Sequence, residues 1–275
     1  FIARLSASGD RLLNATYFGG DGADSIAVVK IDVDGNIYTA GTAYSADFPT
    51  TPGVYQPTRA AGPPPTGFYQ CTQLCSDQFV ARFDSTLSTL VFSTLVGTSV
   101  EESTSDLALG SDRSLYLSGT RGPYGGQGLG PTFPILIHLN SSATALLYDT
   151  QIVDNLPHGG PLALAPDGSA YISTFTPRWL VTSVPQSVIW KLDPQGAVLW
   201  SQQILGVVTS MAWNDAGEIA VTGKASDLWL RPTPGAPRAC PLSADAGDLR
   251  AMSFTARWSP SARDVTYAGF LNARQ

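Results

Sequence analysis

Residues 25–42 read SIAVVKIDVDGNIYTAGT. An apolar run over 26–31 meets an Asp34-Gly35 turn signal, and an alternating stretch over 36–42 leads away from it. Successive side chains of a strand point to opposite faces, so this pattern predicts a β-hairpin closed by a two-residue turn. The outgoing half recurs as SLYLSGT from Ser114, SAYISTF from Ser169 and EIAVTGK from Glu218. Asp167-Gly168 repeats the turn signal, and Asp215 with Gly217 comes close to it.

A second phrase lies between these copies: FIARL at 1–5, FVARF at 79–83, ILIHL at 135–139, VIWKL at 188–192 and FTARW at 254–258. In 79–83, Phe79, Ala81 and Phe83 share one face, while Val80 and Arg82 share the other. A turn over 84–88 and a return over 89–96 make this phrase a hairpin as well. After VIWKL the turn is Asp193-Pro194-Gln195-Gly196, with proline second and glycine fourth, as a type I turn prefers. The two phrases alternate without exception, which predicts an all-β chain of about eighteen strands.

The polar residue of the second phrase stands at Arg4, Arg82, His138, Lys191 and Arg257. A unit is therefore two hairpins, about 50 residues where no insertion lengthens it, the size of a β-propeller blade. The expected organisation is a half blade over 1–20 and blades over 21–97, 98–153, 154–205 and 206–271, roughly four and a half blades. Insertions at 47–78 and 226–251 both precede a copy of the second phrase and are expected to emerge on one functional face. The chain opens and closes on the same phrase, so both terminal blades are expected to be incomplete. It starts inside a repeat, at Phe1, and its natural N-terminus is expected to lie elsewhere. An open strand edge is a template for a strand from a neighbour, so head-to-tail assembly of copies is one expected consequence.

Only 14 % of residues are charged, while Gly and Pro number 27 and 20, a composition that suits strands and turns rather than long exposed helices. The net charge of −6 leaves no broad basic face for phosphates, which argues against nucleic acid as a partner. No apolar run approaches the about 20 residues needed to span a bilayer as a helix.

The phrases resemble the SBBP-type bacterial β-propeller repeat. The first full unit carries the resemblance: Tyr17, Gly19 and Gly20; the apolar stretch 26–28; Asp34, Gly35 and Asn36; Tyr38 and Gly41; DFPTTPGVYQ over 47–56; and FVARF over 79–83. The proline-rich segment fades to 131–134 in the second unit, is lost over 176–185 in the third and is traced over 231–235 in the fourth. The resemblance implies a propeller fold in secreted or surface proteins of bacteria, with no shared catalytic residues; no cofactor is expected.

Individual residues yield candidates rather than a reaction. Cys71 and Cys75 are spaced for a disulfide across a short loop, with free thiols or a metal site as alternatives, and Cys240 is left over. A disulfide would place the protein outside the cytoplasm. His138 sits in the scaffold slot, and His158 lies near Asp154 without any nucleophile motif. Asp32, Asp34 and Asn36 suggest an oxygen-ligand loop, but the same residues make a good turn. No catalytic, cofactor-binding or metal-ligating residue is assigned. Tyr55, Tyr69, Trp179 and Trp229, with Cys240, are the candidate interaction residues of the loops, suited to stacking on sugar rings or anchoring a protein. Trp190, Trp200, Trp213 and Trp258 lie within strands and are expected in the core. Asn14 and Asn140 begin glycosylation triplets. The expected function is a non-catalytic extracellular or cell-surface module that binds protein, including copies of itself. The alternatives are a polysaccharide-binding propeller and an extracellular hydrolase or lyase.

Overall fold

The computed structural model describes residues 1–60, 75–122, 132–153, 156–176, 186–204, 206–214, 217–225, 233–234, 236, 252–259 and 265–270. Eighteen strands are defined among them, and no helix. β1 (Ile2–Leu5) and β2 (Leu12–Thr16) form a two-stranded sheet. β3 (Ser25–Ile31), β4 (Ile37–Ala43), β5 (Asp77–Phe83) and β6 (Leu90–Val96) form a four-stranded one, as do β7 (Glu101–Leu109), β8 (Leu115–Gly122), β9 (Phe133–Leu139) and β10 (Leu146–Gln151). The third consists of β11 (His158–Leu164), β12 (Ala170–Phe175), β13 (Ser187–Leu192) and β14 (Val198–Ile204). The fourth consists of β15 (Val207–Trp213), β16 (Ile219–Ala225), β17 (Met252–Trp258) and β18 (Val265–Phe270). Each strand pairs antiparallel with its neighbour in sequence. The chain folds as two compact units, Phe1–Val153 and Asp154–Gln275.

The expectation of incomplete sheets at both ends is corrected at one of them. FTARW, in β17, pairs with both β16 and β18, so the last sheet has its four strands. Among the described residues, β1–β2 is the one sheet without a second hairpin. Two hairpins can join into a sheet only through hydrogen bonds along their facing edges, and phrase order along the chain does not reveal that contact.

The repeat has a regular middle and irregular flanks. The second and third strands of each full sheet pair without a register shift. The first and second strands pair with a shift in every case, and so do the third and fourth. Such bulges increase local twist. They also explain the recurrent glycine of the first phrase. A Cβ on Gly41 would lie 1.9 Å from the Ser25 carbonyl oxygen, on Gly119 2.0 Å from that of Ser103, and on Gly223 2.2 Å from that of Val207. The third sheet has Thr174 in this slot, and the opposite strand supplies Gly159-Gly160 beside its bulge.

The Asp34-Gly35 turn is longer than the two residues expected. Gly35 N–H donates to the Asp32 carbonyl (3.0 Å) and Asp32 N–H to that of Asn36 (3.1 Å). Asp32 Oδ1 accepts from the N–H groups of Asp34 and Asn36, a local bond that favours the wider turn. The Asp193–Gly196 turn closes as expected, with Gly196 N–H on the Asp193 carbonyl at 2.9 Å.

Cores form where sheets stack. In the first unit, Tyr38, Val80 and Phe92 of one sheet meet Leu107, Leu117 and Ile137 of the next, all buried. In the second, Tyr171, Ile189 and Ile204 meet Met211, Phe254 and Trp258, with Trp200 and Trp213 packed against them.

Residues 47–60 do not stand out as an exposed loop. They run along β6: Thr51 N–H donates to Ser93 O, Leu95 N–H to Gln56 O, and Tyr55 N–H reaches Ala143 O of the next sheet at 2.8 Å. Phe48 is buried, and Val54 packs into the core between sheets. The same contact recurs in the second unit, where Thr233 N–H donates to Ala268 O of β18 and Thr233 Oγ1 accepts from Ala268 N–H. A Thr-Pro pair, Thr51-Pro52 and Thr233-Pro234, thus lies along the outermost strand in both places.

Candidate functional site

β1 is a strand with one neighbour. Its counterparts β5, β9, β13 and β17 each pair on both sides, whereas β1 pairs with β2 alone among the described residues. Its register is Ile2↔Thr16, Ala3↔Ala15, Arg4↔Asn14 and Leu5↔Leu12. One face docks onto the next sheet: Ile2 is buried with Ile37, Ala81, Phe83 and Leu87, and Arg4 Nη1 donates to Ser85 O at 2.8 Å. Phe18 follows directly and meets Phe48, Phe79 and Phe83 edge-on at centroid distances of 5.2–5.7 Å.

Several large apolar side chains of the hairpin are uncovered. Phe1 is 80 % exposed, Leu5 56 %, Leu12 62 % and Tyr17 92 %. Leu5 and Leu12 are cross-strand partners, so a pair that would stabilise a packed face points into water. Natural edges are usually blunted by charge, proline or a cover. β1 has a single charge, at Arg4, and no proline. Its turn is ordered by Asp10, which accepts from the Ser6 and Ser8 hydroxyls at 2.6 Å, and these bonds hold its carboxyl below the usual carboxylate range.

The other sequence candidates are scattered. Tyr55 is 39 % exposed, on the strap beside β6. Tyr69, Cys71, Trp179, Trp229 and Cys240 lie outside the described residues. Cys75 is buried at the start of β5, its sulfur 3.6 Å from Ser99 O. Asn14 is exposed on β2, while the Asn140 side chain caps its own turn, accepting from Thr144 N–H and donating to Thr144 Oγ1. His158 stacks near Phe175, and burial lowers its pKa; Asp154 is outside the described residues. Asp32 spends its oxygens on the turn, its Oδ2 accepting from Asn36 Nδ2 at 2.9 Å. Among the described residues no group of three or more His, Cys, Asp and Glu is placed to hold a metal ion.

Two buried carboxylates escaped sequence reading. Asp77 accepts from Gln56 Nε2 and Ala60 N–H on one oxygen and has no partner on the other. Burial outweighs these bonds and the Arg59 charge, and raises its pKa to about 6. Glu102, buried beside Arg121 at 2.9 Å and the Thr98 N–H, is pushed up to about 7, again by burial. Nothing in the local pattern distinguishes either residue from a surface acid.

No family model matches this chain. No curated protein matches it either. Distant likeness to solved structures exists. An ulvan lyase, described as a new family of polysaccharide lyase, is 8 % identical over 98 % of this chain and 61 % of its own, with a TM-score of 0.44. A NanB sialidase variant from Streptococcus pneumoniae is 12 % identical over 87 % of this chain and 36 % of its own, with a TM-score of 0.41. Hydrazine synthase of Kuenenia stuttgartiensis is 14 % identical over 66 % and 59 %, with a TM-score of 0.35. This chain therefore spans less than two thirds of each of these proteins. The likenesses bear on neither activity nor partner.

Proposed function

We propose that this chain is a segment of β-propeller built from SBBP-type repeats and that it works as a non-catalytic interaction module outside the cytoplasm. Its β1 edge pairs antiparallel with the same edge of a second copy, since every hairpin of the β3–β4 kind is already joined within its own sheet. The observation that carries this reading is the uncovered apolar surface of the β1–β2 hairpin, where Leu5 and Leu12 are cross-strand partners and both exposed. Phe1, exposed beside them, adds apolar area that a second copy would cover. The extracellular placement goes with the resemblance to SBBP-type repeats and with a disulfide proposed at Cys75, a bond that would persist in an oxidising compartment.

Sedimentation velocity over a concentration series tests the proposal. The expected result is a shift to larger species with concentration, reversed by a synthetic peptide of residues 1–16. A chain that stays monomeric at every concentration, with no binding of that peptide, refutes it.

A further inference from the structure

The four complete sheets share a polar slot in their third strand, filled by Arg82, His138, Lys191 and Arg257. Each side chain lies against an aromatic ring of its own sheet. Arg82 is 5.5 Å from the Tyr38 ring, Lys191 5.4 Å from Tyr171, Arg257 5.2 Å from Tyr267, and His138 stacks on Tyr116 at 3.8 Å. Three of the four also feel a carboxylate from the hairpin turn of the first phrase or next to it. Asp167 stands 3.9 Å from Lys191, Glu218 stands 3.2 Å from Arg257, and the charge of Asp112 acts on His138.

Arg82 is the exception. The turn residue in the matching position, Asp34, is ion-paired instead with Arg113 of the following sheet. Asp32, the other nearby acid, is engaged by backbone and Asn36. Arg82 has no ion pair among the described residues, and its Nε is buried without a hydrogen-bond partner. A buried donor left unpaired carries a full desolvation cost and calls for a partner.

Arg82 lines a cleft of about 720 Å³ between the β3–β6 and β7–β10 sheets, within the size range of small-molecule sites. Arg113 lines it too, held in a left-handed conformation (φ 65°) at the turn where other copies have glycine. The hydroxyls of Ser142 and Thr144, the carboxylate of Asp112 and the side chain of Val91, 45 % exposed, complete the surfaces relevant to a ligand. Arg82 and Arg113 are balanced by Asp112 in the cleft and by Asp34 on Arg113, so there is no surplus charge for a polyphosphate, and Arg82 is the guanidinium left to receive a single anionic group. The hydroxyls and Asp112 suit a body rich in hydroxyl groups, and Val91 offers a small apolar patch to its C–H face.

We propose that this cleft binds an acidic saccharide. Arg82 holds its carboxylate or sulfate through charge-assisted hydrogen bonds, while Asp112, Ser142 and Thr144 pair with ring hydroxyls. This site is independent of the β1 edge and of the loop aromatics.

Isothermal titration at low ionic strength with D-glucuronate, D-glucose and sodium sulfate as probes provides the test. Glucuronate is expected to bind with a dissociation constant on the order of 1 mM, and glucose at least about tenfold more weakly. Sulfate is expected to compete with glucuronate while binding more weakly than it does. Arg82→Gln is expected to abolish glucuronate binding. Ser142→Glu, an exposed change outside the core, is expected to do the same without lowering the melting temperature. Arg257→Gln, in the equivalent slot already paired with Glu218, leaves binding unchanged. Absence of glucuronate binding, equal binding of glucose, or indifference to Ser142→Glu overturns the proposal. Sulfate binding as tight as glucuronate overturns the saccharide assignment in favour of a free inorganic oxyanion.

Discussion

Single residues in this chain matter most where backbone passes close or where charge is buried. Gly41 shows the first case. With the Ser25 carbonyl oxygen 1.9 Å from where its Cβ would stand and the Phe79 ring 2.7 Å away, Gly41→Ala must displace a strand. A loss of about 1–3 kcal/mol is expected in urea unfolding, as for other overpacked sites. Phe18 shows a related dependence on packing. It joins three other rings, and Phe18→Ala is expected to cost about 3–5 kcal/mol by the same measurement. Asp77 shows the second case. Its folded pKa, about 6, lies above the ordinary value of 3.8 because burial disfavours the charge. A raised carboxylate pKa means that the folded chain holds the proton more tightly than the unfolded one. The associated stability is therefore complete below about pH 4 and is lost as pH rises through 6. Asp77→Asn should remove this dependence. Relative to the parent, the variant is expected to gain roughly 2–3 kcal/mol between pH 4 and pH 8, readable from urea midpoints at the two pH values. None of these three roles can be seen in the local sequence, since each is defined by a neighbour far along the chain. Gly41 alone carried a signal, as the glycine that recurs in the first phrase.

At the scale of elements, hairpins were legible and their joins were not. Period-two alternation and turn residues are properties of a dozen consecutive positions, so strands such as β3, β4, β13 and β14 fall where the pattern places them. Turn width was misjudged at 34–35 because the Asp32 carboxylate, two positions upstream, draws the backbone into the longer turn. Gly168 occupies the matching place with φ +81°, and a Cβ there would also touch Pro194 at 3.4 Å. Gly168→Ala is expected to lower stability by about 1–2 kcal/mol, the cost of a left-handed L-residue, checked by thermal unfolding. The strap over 47–60 was read as an exposed functional loop. Its polar and proline-rich composition gives that impression, yet Thr51, Tyr55 and Gln56 donate their backbone N–H groups to partners on β6 and in the β9–β10 turn. Buried backbone groups demand partners, and an outermost strand with a free edge provides them.

At the scale of the whole molecule, the described residues hold one hairpin more of the second kind than of the first, and the surplus is β1–β2. If that hairpin recruits another copy, folding is linked to association, and the melting temperature is expected to rise with protein concentration. Leu12→Lys, which charges the uncovered face without touching the core, should flatten that dependence; a melting temperature independent of concentration in the parent chain would argue against assembly. The unequal count of hairpins, the strand alternation and the recurrent turn glycines were determined by the sequence alone, because each depends on periodicity and on residues adjacent in the chain. Only the tertiary structure decided that β17 and β18 complete a sheet, that a Thr-Pro pair lies along an outer strand, and that Asp34 turns from Arg82 to Arg113. Those outcomes depend on which edges and charges meet across a sheet stack, and a linear pattern holds no distances between them.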